Sequence, residues 1–177
     1  MLDIINNQKC IIRTVKLEDA EALLEILNSV ISEEDYFIIV SGELEKISSK
    51  QKREQIQEVL NNEKETIIVA EINNVVVGSI AFRSNKLKRL SHTGSFSMSI
   101  SENYRGMGIG KLLLKALLDW AEKNPSIEKV SLGVLSTNHR AISLYKSMGF
   151  IEEGRKVKEL KISDNNYVDD ILMYKFV

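Results

Sequence analysis

The most constraining feature of this 177-residue sequence is a set of three alternate glycines where its best-defined helix begins. Apolar residues recur at intervals of three and four over residues 109–120, which predicts an amphipathic helix ending near Asn124-Pro125. Gly106, Gly108 and Gly110 stand at its start, although each glycine inside a helix costs roughly 1 kcal/mol relative to alanine. A helix N-terminus has unpaired backbone N–H groups that bind phosphate when no side chain blocks the approach. The sequence therefore predicts a phosphate site at this turn.

Two other phosphate-binding motifs do not fit this spacing. A P-loop would need Gly at position 105 and Ser or Thr at 112, where the chain has Arg105 and Leu112. A dinucleotide-binding fingerprint would need Gly at 111, or Gly or Ala at 113, where Lys111 and Leu113 stand. The remaining structural alternative is a simple turn at Gly106, with the other two glycines tolerated at a helix start.

The rest of the chain indicates one globular domain over residues 1–177, because no linker, low-complexity tract or repeat divides it. Lys plus Arg (24) nearly balances Asp plus Glu (25), so charge gives no reason to expect nucleic acid as a partner. The lone Cys10 excludes an internal disulfide and a cysteine cluster for metal, and its expected role is packing. No segment approaches ~18 consecutive apolar residues. We expect a cytoplasmic protein with no metal and no membrane partner.

Periodicity and turn residues predict the order β α α β β β α β α β β, an α+β sheet of seven strands with helices on both faces. Asn73-Asn74 suits a two-residue hairpin turn, and residues 32–48 are expected to be irregular. The predicted strands are residues 10–15, 66–72, 75–83, 90–100, 129–135, 150–160 and 167–176, and the predicted helices are residues 17–31, 49–61, 109–124 and 138–148.

Two linked motifs resemble those of the GNAT acetyltransferases. The first is Arg-x-x-Gly-x-Gly, here Arg105, Gly108 and Gly110, after a strand and at the start of a helix. The second is Asn138-His139-Arg140-Ala141-Ile142-Ser143-Leu144-Tyr145, followed by Met148-Gly149-Phe150. The resemblance implies a GNAT fold, with a mixed, mostly antiparallel central sheet and two splayed parallel strands at its centre. It also implies acetyl-CoA as cosubstrate.

The same resemblance implies a cofactor site made of the strand before the glycine turn, the turn itself and the next helix start. Its residues would be Met98, Ser99, Ile100, Arg105, Gly106, Met107, Gly108, Ile109, Gly110, Lys111, Asn138 and Tyr145. The turn would hold the pyrophosphate, and the strand backbone would pair with pantetheine. An amide near Ile100 would stabilise the oxyanion. Asn138 would bind the cofactor arm or the acceptor, with an ordinary N-cap as its structural alternative.

Tyr145 is the residue that the resemblance assigns to catalysis. A phenol with a pKa near ~10 can protonate the departing coenzyme A thiolate, whose thiol is near ~8.5 if cysteine is a guide. The structural alternative is a core tyrosine on a helix face.

The general base stays open at this point. A related group, which acetylates the N-terminal alanine of a ribosomal protein, has Leu-Glu-Val in the strand after the long helix, where this chain has Leu132-Gly133-Val134. That departure argues against a ribosomal-protein substrate. His92, Glu71, Glu102 and a chain of water molecules remain as candidates.

Two further segments, residues 91–95 and 166–173, are similar to GNAT members that acetylate free amino acids or other small amines. We therefore expect direct acetyl transfer to a primary amine of a small molecule, with an amino acid as one candidate. The alternatives are acetylation of protein N-termini or lysines, and a non-catalytic acyl-CoA sensing module. Glu33, Glu34 and Asp35 are expected to be solvated, and the sequence leaves a homodimer open.

Overall fold

One mixed β-sheet organises the computed structural model, which describes residues 2–5, 8–33 and 47–177. The elements in these ranges are the strands β1 (Leu2–Ile5), β2 (Gln8–Thr14), β3 (Thr66–Ile72), β4 (Val75–Ser84), β5 (Thr93–Ile100), β6 (Lys129–Leu135), β7 (Ile151–Ser163) and β8 (Asn166–Phe176), and the helices α1 (Ala20–Ser32), α2 (Ser49–Leu60), α3 (Ile109–Glu122) and α4 (His139–Ser147). The predicted order of elements is confirmed, with one strand added at the start.

Within the described ranges, the eight strands lie in the order β1-β2-β3-β4-β5-β6-β8-β7. Neighbouring strands are antiparallel except β5 and β6, which are parallel. This confirms the α+β class and the mostly antiparallel sheet. The Asn73-Asn74 hairpin is also confirmed, with φ of 51° and 63°, in the left-handed region that a tight turn needs.

Two strand predictions were wrong in detail. The expectation of seven strands missed β1, a four-residue strand that pairs with β2 at the sheet edge. So short a strand has no periodic pattern of its own and depends on its partner for hydrogen bonds. The strand expected from residue 90 starts at Thr93, because Lys88–Leu90 forms a 3-10 turn.

Helices cover both faces of the sheet, as predicted. On one face, Leu113 and Leu117 of α3 and Tyr145 of α4 pack with Phe82 in a continuous apolar core. On the other face, α1 and α2 form a second core, of which Val30 is part. No helix among the described residues is long and apolar enough to cross a bilayer.

The strands β5 and β6 separate along their length. They pair at Thr93–Lys129, Gly94–Val130 and Ser95–Ser131 and at no later position in the register. Residues 96–100 of β5 then pair only with β4, and residues 132–135 of β6 pair only with β8. The predicted pair of splayed parallel strands is confirmed, and the gap between them opens toward the start of α3.

Candidate active site

A side chain is disfavoured at the three glycines of the turn for two different physical reasons. Gly106 and Gly108 have φ of 84° and 87°, a left-handed conformation that costs a residue with a Cβ roughly 1–2 kcal/mol. Gly108 is also the N-cap of α3. Gly110 is favoured by close packing instead: a Cβ there would lie 3.2 Å from Cδ2 of Leu144 and 3.4 Å from Cδ1 of Ile100, so these side chains would have to shift by a few tenths of an ångström.

The backbone of this turn presents free hydrogen-bond donors. In the described part of the chain, the five amides of residues 106–110 donate no hydrogen bond, whereas those of Lys111 and Leu112 donate to the carbonyl of Gly108. Five unpaired N–H groups at the positive end of a helix dipole favour an anion with several oxygens. The turn has the donors and the open backbone that a pyrophosphate needs.

Two cationic side chains accompany the turn. Lys111, a predicted site residue, lines the cavity beside it. Arg140 also lines that cavity, and a Cβ on Gly106 would lie 3.2 Å from its Nη2. Arg140 belongs to the second motif, but no role was predicted for it. Its position in the first turn of α4, two residues after Asn138, was the signal that could have found it.

The turn forms one end of a cavity of about 670 Å³ that extends into the gap between β5 and β6. Eleven of the twelve predicted cofactor residues line it: Met98, Ser99, Ile100, Arg105, Gly106, Gly108, Ile109, Gly110, Lys111, Asn138 and Tyr145. Met107 does not, because its side chain packs against the core.

The backbone of β5 has hydrogen-bonding groups directed into the gap. Ser101 donates to Val77 and Asn85 donates to Thr93, so odd-numbered residues of β5 face β4 in this ladder. Hydrogen-bonding direction alternates along an antiparallel strand. The amides of Met98 and Ile100 therefore point toward the gap, and the Ile100 carbonyl accepts from Nε of Arg105 at 2.9 Å.

Asn138 is fixed at the cavity wall by a capping interaction. Its Oδ1 accepts a hydrogen bond from the backbone N–H of Ala141 at 3.1 Å, which caps the N-terminus of α4. The ordinary N-cap is therefore present. The same side chain also lines the cavity, so the cap orients the amide group beside the gap.

Tyr145 is buried but reaches the cavity. Its ring packs edge-on against Phe96 and beside Phe150, with ring centroids 5.6 and 6.1 Å away. Burial raises the pKa of the phenol to about 12, so Tyr145 stays protonated at neutral pH. No side-chain polar atom among the described residues is both sealed from solvent and unpaired. The Tyr145 hydroxyl has no hydrogen-bond partner among those residues, so it is not sealed from solvent. It is therefore accessible from the cavity that Tyr145 lines.

The structure does not bring the three residue candidates for the general base to this cavity. Glu71 is paired with Arg13 at 2.7 Å on β3. His92 precedes β5, at the end of the sheet where β5 and β6 are still paired. Glu102 lies in the 3-10 turn after β5 and is exposed, and none of the three is a lining residue.

Asp170 of β8, which lies within residues 166–173 and had no predicted role, does line the cavity. Its carboxylate is only 7% exposed, and a Cβ built on Gly133 would lie 2.9 Å from Oδ1. Lys156 on β7 approaches Oδ2 at 3.4 Å. The signal in the sequence was Gly133 itself, since a glycine inside a strand marks close approach of another group.

The expectation that the acidic run after α1 is solvated was wrong for Glu33. This carboxylate forms an ion pair with Arg105 and is 20% exposed. Glu34 and Asp35, the other members of the run, lie outside the described residues. The role expected for Cys10 is confirmed, because its side chain is fully buried in the main core.

As far as the structure describes the chain, no cluster of three or more His, Cys, Asp or Glu side chains could hold a metal ion.

Comparison with known sequences gives one matching family. The acetyltransferase (GNAT) family matches residues 30–150. An L-amino acid N-acetyltransferase from Escherichia coli, AaaT, is 26% identical over 106 residues, which are 60% of this chain and 65% of that enzyme. The match thus spans just under two thirds of that relative's length.

Solved structures share the fold over nearly the whole chain. A GNAT-family acetyltransferase from Streptococcus pneumoniae superposes with a TM-score of 0.88 and 26% identity, covering 95% of this chain and 99% of that one. YncA from Salmonella typhimurium, solved with acetyl-CoA, has a TM-score of 0.84 and 21% identity, covering 94% of this chain and 93% of that one.

Proposed function

This chain belongs to the acetyltransferase (GNAT) family, and from that premise we propose that it transfers acetyl from acetyl-CoA directly to a primary amine of a small molecule. An amino acid is the first candidate acceptor. The observation that supports the proposal most is the set of free amides at residues 106–110, at one end of a cavity between splayed strands.

Binding of the cosubstrate is assigned to backbone groups more than to side chains. The amides of residues 106–110 would receive the pyrophosphate, with Lys111 and Arg140 adding positive charge beside it. The gap-facing backbone of Met98 and Ile100 would pair with the pantetheine arm. Acetyl-CoA supplies an activated acyl group, as a thioester, to this gap.

The catalytic contribution of the chain is proton transfer and stabilisation of charge. Tyr145 holds a proton on the α4 side of the gap, and in this proposal it delivers the proton to the departing sulfur. The amide near Ile100 is directed at the gap and would donate to the carbonyl oxygen as negative charge develops there. Both groups are held by packed elements of the fold, which favours a fixed geometry.

A small acceptor is favoured by two observations. The E. coli relative acts on L-amino acids. Against a ribosomal-protein substrate, this chain has Gly133 at the strand position where that group has glutamate.

The test is a thiol-release screen with acetyl-CoA and a panel of amino acids, polyamines, aminoglycosides and peptides, with mass spectrometry of the products. We expect one of the small amines to be acetylated. Turnover restricted to peptides would replace the proposed acceptor class. Tight acetyl-CoA binding with no acetylated product across the panel would favour the sensing module instead.

A further inference from the structure

One carboxylate lines the cavity among the described lining residues, that of Asp170. It lies on β8, which is inserted in the sheet between β6 and β7 and so brings a distant part of the chain beside the gap. The proposed function gives this group no role. Its position on the opposite side of the gap from Tyr145 indicates a role for it.

The strand register places Asp170 on the α1 side of the sheet. Asp170 is the direct partner of Leu135, and Leu172 that of Gly133, and directly paired residues project from the same face. The intervening Leu132 and Val134 belong to the core under α3 and α4. Because side chains alternate along a strand, Gly133 and Asp170 face the opposite side.

The cavity is therefore bounded by two proton-exchanging groups on opposite faces of the interrupted sheet. Tyr145 belongs to the core on the α3 and α4 side. Asp170 lies on the side of α1, where Val30 also lines the cavity. The gap between β5 and β6 joins the two sides, since these strands lose their pairing after Ser95 and Ser131.

Gly133 is what permits this position of the carboxylate. A Cβ at residue 133 would lie 2.9 Å from Oδ1 and 3.4 Å from Oδ2 of Asp170, and the first distance is shorter than a Cβ contact tolerates. Any other residue at 133 would force the carboxylate to move. Gly133 and Asp170 thus form one unit, in which a glycine on β6 makes room for an acid from β8.

Asp170 is the one carboxylate among the described residues that line the cavity. Lys156 from β7 approaches Oδ2 and is half exposed, while Oδ1 lies over Gly133. The other ionisable side chains that line the cavity are Tyr104, Arg105, Lys111, Arg140 and Tyr145. None of these is a carboxylate, so among the described lining residues Asp170 is the one acidic partner for an ammonium group that enters from the α1 side.

We propose that Asp170 binds the ammonium group of the acceptor and takes up its proton before acetyl transfer; this rests on the proposed function. The ammonium loses one proton to the carboxylate, and the freed nitrogen lone pair forms the N–C bond at the thioester carbonyl. The C–S bond breaks, and the sulfur leaves with the electron pair and takes a proton from Tyr145. The second proton of the nitrogen and the proton on Asp170 pass to water, from which Tyr145 regains its own. The balance is one amide, one free thiol and one proton released.

The test compares Asp170→Asn with wild type on the acceptor found in the screen, across pH. At neutral pH we expect kcat/KM for the amine to fall by about a hundredfold or more. The loss should shrink as pH rises toward the amine's own pKa, because the free amine then needs no base. Calorimetric affinity for coenzyme A should stay within about threefold of wild type.

Two further variants separate this role from a structural one. Lys156→Gln breaks the ion pair of Asp170 but keeps the carboxylate, so its kcat/KM at neutral pH should stay well above that of Asp170→Asn. Gly133→Ala keeps Asp170 but displaces its carboxylate, so it should lower turnover with the same recovery at high pH. This second variant also decides the matter if Asp170→Asn does not fold.

Several outcomes would overturn the inference. If the wild type is active and Asp170→Asn keeps kcat/KM within threefold with an unchanged pH profile, Asp170 is not the base. The proposed function is then unaffected. A Lys156→Gln variant with the same loss of kcat/KM and the same recovery at high pH would also rule out Asp170. A misfolded Asp170→Asn variant together with a fully active Gly133→Ala variant would do the same. A wild type that acetylates no amine removes the proposed function, and this inference with it.

Discussion

Glu33 and Arg105 are joined by a two-point ion pair, with Nη1 2.6 Å from Oε2 and Nη2 2.7 Å from Oε1. Nε of the same guanidinium donates to the Ile100 carbonyl at 2.9 Å. One side chain thus connects the end of α1, the end of β5 and the residue before the glycine turn. This bidentate geometry needs the planar guanidinium of arginine, and a lysine could not reproduce it.

We predict that Glu33→Gln lowers the free energy of unfolding by about 1–3 kcal/mol, because it weakens a two-point ion pair with a mostly buried guanidinium. It should also raise the KM for acetyl-CoA, since the turn loses one anchor. Urea unfolding and steady-state kinetics measure the two effects. The control is Asp119→Asn, which breaks the exposed pair with Lys115 on α3 and should change stability by less than about 1 kcal/mol.

The effect of Glu33→Gln should depend on pH. The Arg105 hydrogen bond lowers the pKa of Glu33 below its ordinary 4.5, against a smaller opposing effect of burial. The pair therefore stabilises the fold above that pH and loses its contribution as pH falls through the lowered value. The difference between wild type and variant should be constant from pH 7 to about pH 5 and shrink below it. A difference that grows under acid conditions would contradict this sign.

Gly108→Asp is predicted to abolish coenzyme A binding, because it adds a side chain and a negative charge beside the pyrophosphate site. Gly108→Ala should fold with a stability loss of roughly 1–2 kcal/mol from its φ of 87°, and beyond the chain neighbours no atom of the described residues lies within 4 Å of the added Cβ. Gly154→Asp is the matched control, since a Cβ at this position on β7 likewise meets no such atom within 4 Å. Calorimetry reports the affinities. Unchanged affinity in a folded Gly108→Asp variant would refute the phosphate site.

Tyr145→Phe should reduce kcat by about a hundredfold to ten-thousandfold while the dissociation constant of coenzyme A stays nearly unchanged. The phenyl ring keeps its packing on Phe96, so the melting temperature should change little. Tyr174→Phe, outside the cavity on β8, is the matched control and should keep full turnover. If an active wild type loses less than about threefold on Tyr145→Phe, Tyr145 is not the acid.

Burial of Tyr145 should also be measurable as alkaline sensitivity. Burial raises the pKa of the phenol to about 12 from an ordinary 10.0, so the folded state holds this proton more tightly than the unfolded chain does. Stability is therefore lost as pH rises from about 10 to about 12, by roughly 2–3 kcal/mol at one pKa unit per 1.36 kcal/mol. Urea unfolding of Tyr145→Phe should not show this loss of stability, which wild type should show. Equal losses in both proteins would show that the phenol is not desolvated.

The sequence alone determined the features that depend on neighbouring residues. The apolar period of α3, the left-handed glycines at its start and the Asn73-Asn74 turn are all local, because backbone sterics and side-chain spacing within a few residues decide them. Tyr145 and Asn138 were predicted from the resemblance to a family motif at α4, and both line the cavity. The turn and its free amides therefore lie where the sequence indicated them.

Tertiary structure alone decided which distant groups meet. The pairing of Gly133 with Asp170 depends on β8 entering the sheet beside β6, and that of Glu33 with Arg105 on where α1 ends above β5. β1 depends on its hydrogen bonds to β2. The gap at the site forms because β5 and β6 stop pairing. Except for β1, whose partner strand begins at Gln8, these contacts join residues far apart in the chain. Strand register and helix packing, which no local period encodes, bring them together.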